Sequence, residues 1–282
     1  MKQLKIYAFA DEASSNMDEQ IEAMRKNRLD GLEIRNVDNV SVSDITLEKA
    51  REVKKKLADN NLVVWSIGSP IGKSDIENKD FHEQLEKLKH TIEIAHELEA
   101  ENIRLFSFWL PENGKPEDYR MEVMERMGQF LDVAKDSGIC LCHENEKGIY
   151  GDNAERCLDI LRTFPEMKGI FDPANFVQCG QDTLEAWNML QSYIKYLHIK
   201  DAYLDGRVVP AGHGDGNVAT IISSFYQNGG RALSIEPHLS IFKGLSDLER
   251  ESEKSQVGEY IYADNIAAFD AACAAVKRIV GR

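Results

Sequence analysis

The chain has 282 residues, 43% of them hydrophobic and 29% charged, and a formal net charge of −14. An ordinary apolar fraction excludes a disordered or collagen-like chain, and a surface of that sign disfavours nucleic acid and anionic lipid as partners. The densest basic run, Lys54-Lys55-Lys56, is followed by Leu57 and forms no patch that would override it.

No apolar run reaches the ~18 residues that span a bilayer, and the opening Met1-Lys2-Gln3-Leu4-Lys5 lacks the apolar core of a secretory signal. The cysteines Cys140, Cys142, Cys157, Cys179 and Cys273 are odd in number and contain no Cys-x-x-Cys pair. A cytoplasmic protein with reduced thiols is expected, without a disulfide framework or a structural zinc site.

Apolar, strand-like runs fall at residues 4–9, 31–35, 62–67, 102–106, 139–144, 169–172, 196–199 and 232–236. Amphipathic stretches separate them. Phe81, Leu85, Leu88, Ile92 and Ala95 step by three and four, as do Met124, Met127, Leu131 and Ala134. Asp182, with Glu185 three residues on, predicts a capped sixth helix, and Ile266, Phe269, Cys273, Val276 and Val280 predict the closing one. Eight β-then-α units with no Gly-x-Gly-x-x-Gly after any strand predict a closed (β/α)8 TIM barrel rather than an open nucleotide-binding sheet. No linker divides residues 1–282, so one barrel domain is expected, with the long charged segment 237–257 as a lid or an oligomer contact.

Chemistry in such a barrel sits where strands end. The last four strands finish as Cys140-Leu141-Cys142-His143-Glu144, Ile170-Phe171-Asp172-Pro173, Tyr196-Leu197-His198-Ile199-Lys200-Asp201 and Leu233-Ser234-Ile235-Glu236-Pro237. A carboxylate inside an apolar strand is costly unless compensated. Glu144, Asp172, His198 and Glu236 on four neighbouring strands therefore point to a shared cation. Oxygen-rich ligation with one imidazole suits Mn²⁺ or Mg²⁺, with Co²⁺ and Zn²⁺ as further options.

The fragments His143-Glu144-Asn145, Asp172-Pro173-Ala174-Asn175, Leu197-His198-Ile199-Lys200-Asp201 and Ile235-Glu236-Pro237 resemble the sugar phosphate isomerase/epimerase group of the xylose-isomerase-like barrel superfamily. The resemblance implies that Glu144, Asp172, His198 and Glu236 hold one divalent metal, Mn²⁺ first. It implies too that Glu144 and Glu236 act as the acid/base pair around a metal-stabilised enediolate of a keto-sugar or sugar phosphate. The chain departs from the ketose 3-epimerases at Asn175, where they carry a histidine, and at Leu204, where they carry an arginine; Arg207 is out of register. A nuclease of the endonuclease IV type would need histidines from the early strands. His82, His90 and His96 all fall on the predicted third helix, and Ala211 replaces the aspartate expected near His213.

Asn175, His213, Lys200, Glu146, Arg207 and Trp109 are the candidate substrate-binding residues. Asp201 is a candidate to orient the His198 imidazole. Glu33 and Arg35 end the second strand either as substrate contacts or as each other's buried partner, and His238 receives no role. Lys73, Lys147, Lys200 and Arg207 are candidates for a local anion pocket. The expected activity is a metal-dependent sugar isomerase or epimerase acting on a small molecule, without nucleic acid or membrane, in a barrel that is a candidate homo-oligomer. The alternatives are a lyase of the inosose-dehydratase kind, sharing the first deprotonation, and a sugar-binding barrel without turnover.

Overall fold

A computed structural model of the protein describes residues 4–242, 256–258 and 260–282. Eight parallel strands close into a barrel: β1 (Lys5–Ala8), β2 (Gly31–Ile34), β3 (Val63–Ile67), β4 (Asn102–Leu105), β5 (Cys140–Glu144), β6 (Lys168–Phe171), β7 (Ile194–Ile199) and β8 (Ala232–Ile235). They pair in chain order, and β8 closes on β1 with Lys5 opposite Ala232 and Ala8 opposite Ile235. Each of the eight expected strands is present, its ends shifted by at most two residues.

Helices α1 (Met17–Lys26), α2 (Leu47–Asp59), α3 (His82–Leu98), α4 (Pro116–Ala134), α5 (Ala154–Thr163), α6 (Pro173–Gln178), α7 (Thr183–Leu190), α8 (Val218–Gln227) and α9 (Asn265–Val280) accompany the strands. Their apolar stripes pack on the barrel: Leu88, Ile92 and Ala95 of α3 are buried, as are Phe269, Cys273 and Val276 of α9. Asp182 caps its helix as expected, its Oδ1 accepting the N–H of Leu184 (2.9 Å) and Glu185 (2.8 Å). That helix is the seventh, because Asp172 caps a short extra one, α6, directly after β6.

Two features escaped the periodicity. Residues Asn36–Val37 pair with Val40–Ser41, and Asp201–Ala202 with Val208–Val209, as small antiparallel hairpins at the barrel rim. Two-residue strands are too short to show alternation. Of the segment 237–257, expected to form a lid or oligomer contact, residues 243–255 lie outside the described residues.

Inside the barrel, alternation decides everything, because residues two apart face the same way. At the N-terminal mouth Tyr7, Cys142, Ile170, Tyr196 and Ala232 form a small cluster with Trp65 and Cys140. Continuing in steps of two along the same strands gives Glu144, Asp172, His198 and Glu236 at the opposite, C-terminal mouth. One end of the barrel is aromatic and thiol-rich, the other ionic.

Candidate functional site

The four strand-end residues meet. One donor atom each from Glu144, Asp172, His198 and Glu236 lies within 4.8 Å of the others, and all four residues are buried. Ligands on opposite sides of a single ion, with bonds of about 2.0–2.2 Å, stand at most about 4.4 Å apart. The cluster is therefore close to the span that ligands take around one cation. Asp172 is only half engaged. Its Oδ1 accepts the Asn175 N–H at 3.0 Å as the α6 cap, while its buried Oδ2 has no hydrogen bond. Lys200 Nζ is 3.2 Å away without hydrogen-bonding geometry.

His198 is clamped from both sides. Nε2 donates to Glu33 Oε2 and Nδ1 to Glu144 Oε1, each at 2.8 Å, and Nδ1 is 3.8 Å from Glu236 Oε2. Burial works against a charged imidazole, but Glu144 and Glu33 outweigh it and raise His198 well above its ordinary value. Glu33 is itself fixed, its Oε1 accepting the Tyr196 hydroxyl at 2.7 Å. Burial pushes Glu33 upward, yet His198, Arg104 and Tyr196 leave it below its usual range.

Cations from β4, from the ends of β2 and β7 and from the loop after β3 neutralise the carboxylates. Arg104 Nη1 is 3.1 Å from Glu144 Oε2 and 3.7 Å from Glu236 Oε1. Arg35 pairs with Asp11 (2.8 Å), Glu12 (3.1 Å) and Glu236 (3.2 Å). Lys200 Nζ lies 3.3 Å from Glu236 Oε2, and Lys73 Nζ 2.9 Å from Glu146 Oε2. Burial raises Glu236, but Lys200, His238, His198 and Arg104 together hold it well below its ordinary value. At Asp172 burial wins over Lys200 and the carboxyl is raised. Glu12 is pushed up to about 8, mainly by burial, against the pull of Arg35.

Arg104 and Arg35 are the main residues that the sequence reading under-used. The rule that a charge within an apolar strand demands a partner was applied to acids alone, and it flags both arginines equally well. Glu33 and Arg35 are not each other's partner: Glu33 serves His198 and Tyr196, Arg35 the acids at the ends of β1 and β8. His238 is also part of the site, its Nε2 3.4 Å from Glu12 Oε1 and 3.6 Å from Glu236 Oε1.

Asp201 does not orient His198. It is an odd number of residues away and faces outward, where its carboxylate accepts the N–H groups of Ala202, Gly212, Gly214 and Gly216 at 2.8–3.0 Å. A side chain at Gly214 or Gly216 would collide with that carboxylate, so the loop's glycines and Asp201 form one device.

Of the six candidate substrate contacts, three adjoin the cluster: Lys200, Glu146 through its charge interaction with Lys200, and Asn175, whose buried Oδ1 has no partner. The other three make their contacts elsewhere. Exposed His213 meets the Tyr260 hydroxyl at 3.0 Å. Arg207 folds back on Asp205 at 2.9 Å and over the Tyr203 ring, away from Lys73 and Lys200, which pair with carboxylates instead. Trp109 lines a separate surface cavity with Asp75 and Pro111, while Phe108 beside it stacks on Phe130 in the core. His143, pointing away from Glu144, is buried against Ser107 (2.9 Å).

Residues 21–255 match the xylose isomerase-like TIM barrel family. The chain belongs to that family. No curated protein sequence matches the chain, whereas solved structures align along its whole length. An IolI protein with a bound zinc atom is 16% identical, with a TM-score of 0.76 over 99% of this chain and 98% of that one. An L-ribulose 3-epimerase is 21% identical, with a TM-score of 0.74 over 100% and 95%. A probable 3-DHS dehydratase, AsbF from Bacillus anthracis, is 14% identical, with a TM-score of 0.74 over 96% and 98%. At these identities the shared property is the fold. Among the described residues no helix is long and apolar enough to cross a membrane.

Proposed function

We propose that the chain, working as one barrel domain, is a divalent-metal-dependent isomerase or epimerase of a keto-sugar or sugar phosphate. One observation supports this above all: acids and an imidazole from four consecutive strands converge on one buried point, with an Asp172 oxygen left unbonded. Glu144, Asp172, His198 and Glu236 would hold the ion, Mn²⁺ first, with Mg²⁺, Co²⁺ and Zn²⁺ as alternatives. A divalent ion there would polarise a sugar carbonyl and stabilise the enediolate left when the neighbouring carbon loses its proton.

The remaining chemistry belongs to the side chains. Glu236 is kept as a carboxylate by Lys200 and Arg104, the state a general base needs. Glu144 comes from the fifth strand and Glu236 from the eighth, so the two approach a bound sugar from different sides. One removes a proton and the other returns one: on the same carbon this inverts it, on its neighbour it exchanges aldose for ketose. Arg104, between the two glutamates, holds both carboxylates in place. Lys200, Asn175 and Glu146 would meet the sugar oxygens.

The test is proton exchange. Keto-sugars incubated with the Mn²⁺-loaded protein in deuterated water should take up solvent deuterium beside the carbonyl. Glu144→Gln should abolish uptake in a protein whose circular dichroism still shows the folded barrel. Full exchange by that variant would overturn the acid/base assignment. A product that has lost water would replace the isomerase with the lyase.

A further inference from the structure

We propose that Cys140 and Cys142, at the N-terminal mouth of the barrel, form a thiol–disulfide exchange site that takes an anionic small-molecule disulfide. This is independent of the metal-dependent reading, which concerns the other end of the barrel.

The two cysteines are two residues apart on β5 and face the same way, with their sulfurs 3.8 Å apart. They are unlike each other. Cys142 is buried and Cys140 half-buried, so an incoming disulfide meets Cys140 first. The thiol contact with Cys142 draws Cys140 below its ordinary value; burial opposes this, and Lys195 and Lys168 assist. An accessible thiolate backed by a buried thiol is the arrangement of an attacking and a resolving cysteine.

Beside the pair is a cavity of about 730 Å³ whose wall includes Trp65, Lys168, Lys195 and Arg231. Trp65 also packs in the same cluster as Cys140 and Cys142. Its buried indole N–H has no acceptor. Lys168 donates to the Pro165 carbonyl, and Arg231 to the Tyr226 and Gly230 carbonyls. Among the described residues none of these three cations is paired with a carboxylate. In a chain with a net charge of −14, a positive hollow next to a thiolate selects an anionic partner.

The exchange balances. The Cys140 thiolate attacks one sulfur of the small disulfide, forms a mixed disulfide and releases one thiolate. Cys142 gives its proton to that thiolate and attacks Cys140 Sγ, displacing the second. Two protein thiols are oxidised to one disulfide, and the small disulfide is reduced to two thiols. Residues two apart in a strand have Cα atoms roughly 6.6 Å apart, at the upper edge of the disulfide range of about 4.4–6.8 Å. Such a bond is strained and easily reduced, as befits exchange rather than structure.

The experiment uses the full-length reduced protein, glutathione disulfide as probe, and non-reducing peptide mass spectrometry. A Cys140–Cys142 disulfide reversed by dithiothreitol is expected, with Cys142→Ala trapping glutathione on Cys140. If that variant fails to fold, early iodoacetamide quenching of the unaltered protein reads the same mixed disulfide. Lys195→Gln should slow capture of glutathione disulfide several-fold and leave capture of cationic cystamine no slower. Cys140 left unmodified when exposed Cys179 is fully glutathionylated would overturn the site. A mixed disulfide that never resolves would remove Cys142 from it. Equal slowing with both probes would remove the anionic selectivity.

Discussion

Glu33 offers the sharpest perturbation of the ionic cluster, because it touches His198 without being one of the four proposed ligands. Its Oε2 accepts from His198 Nε2 and its Oε1 from the Tyr196 hydroxyl. With Nε2 committed to Glu33, Nδ1 is the nitrogen that faces Glu144 and Glu236. Removing a carboxylate that orients a ligating histidine typically weakens metal binding about 10- to 100-fold, or about 1.4–2.7 kcal/mol. Glu33→Gln keeps one acceptor oxygen for Nε2, and the Tyr196 hydroxyl, already beside Ser66 Oγ at 3.0 Å, can turn to accept from the new amide. Only the charge is lost, so the weakening should fall near the tenfold end. Glu33→Ala loses the charge and both acceptors and should approach 100-fold. Competition with a fluorescent chelator for Mn²⁺ measures this directly, with circular dichroism as the check on folding. Unchanged affinity in both folded variants would refute the idea that Glu33 sets the imidazole's orientation.

Other variants probe the surrounding charges. Lys200→Met leaves Asp172 and Glu236 facing each other without the ammonium, and breaking a buried pair costs about 3–5 kcal/mol. The metal-free variant should melt well below the parent, and Mn²⁺ should recover most of the difference; an equal deficit with and without Mn²⁺ would contradict a shared cation position. His143, beside Ser107, is depressed by burial to about 3. Its unfolded form gains a proton first as pH falls, so its contribution to stability is complete above pH 6.5 and is lost toward pH 3, at about 1.4 kcal/mol per unit. In urea titrations His143→Gln should flatten that acid slope, and an unchanged slope would assign it to other groups.

The fold was almost fully legible because each strand is a short apolar run bounded by an amphipathic helix, and eight repeats of that pattern admit few topologies. The metal candidates were legible for the same reason: Glu144, Asp172, His198 and Glu236 interrupt apolar strands at equivalent places. Their companions were harder to see. Glu33 and Arg104 are contributed by distant strands, and their partners depend on how the barrel closes. Arg35 reaches Glu236 across 201 residues of sequence, and no local pattern records such a pairing. Asp172 is both a cluster member and a helix cap; its place at a strand end marked the first role, while the short helix it opens is too brief to show a period. His238 follows Glu236 by two residues, and strand alternation alone places it at the same mouth.

One divalent cation among Glu144, Asp172, His198 and Glu236 is what the proposed chemistry requires. Crystals grown with Mn²⁺ and measured at a wavelength where manganese scatters anomalously give the answer in a single map. One strong peak within bonding distance of all four side chains, with Lys200 moved aside from Asp172, is the predicted result. No peak there, with the Lys200 ammonium still between Asp172 and Glu236, would contradict it.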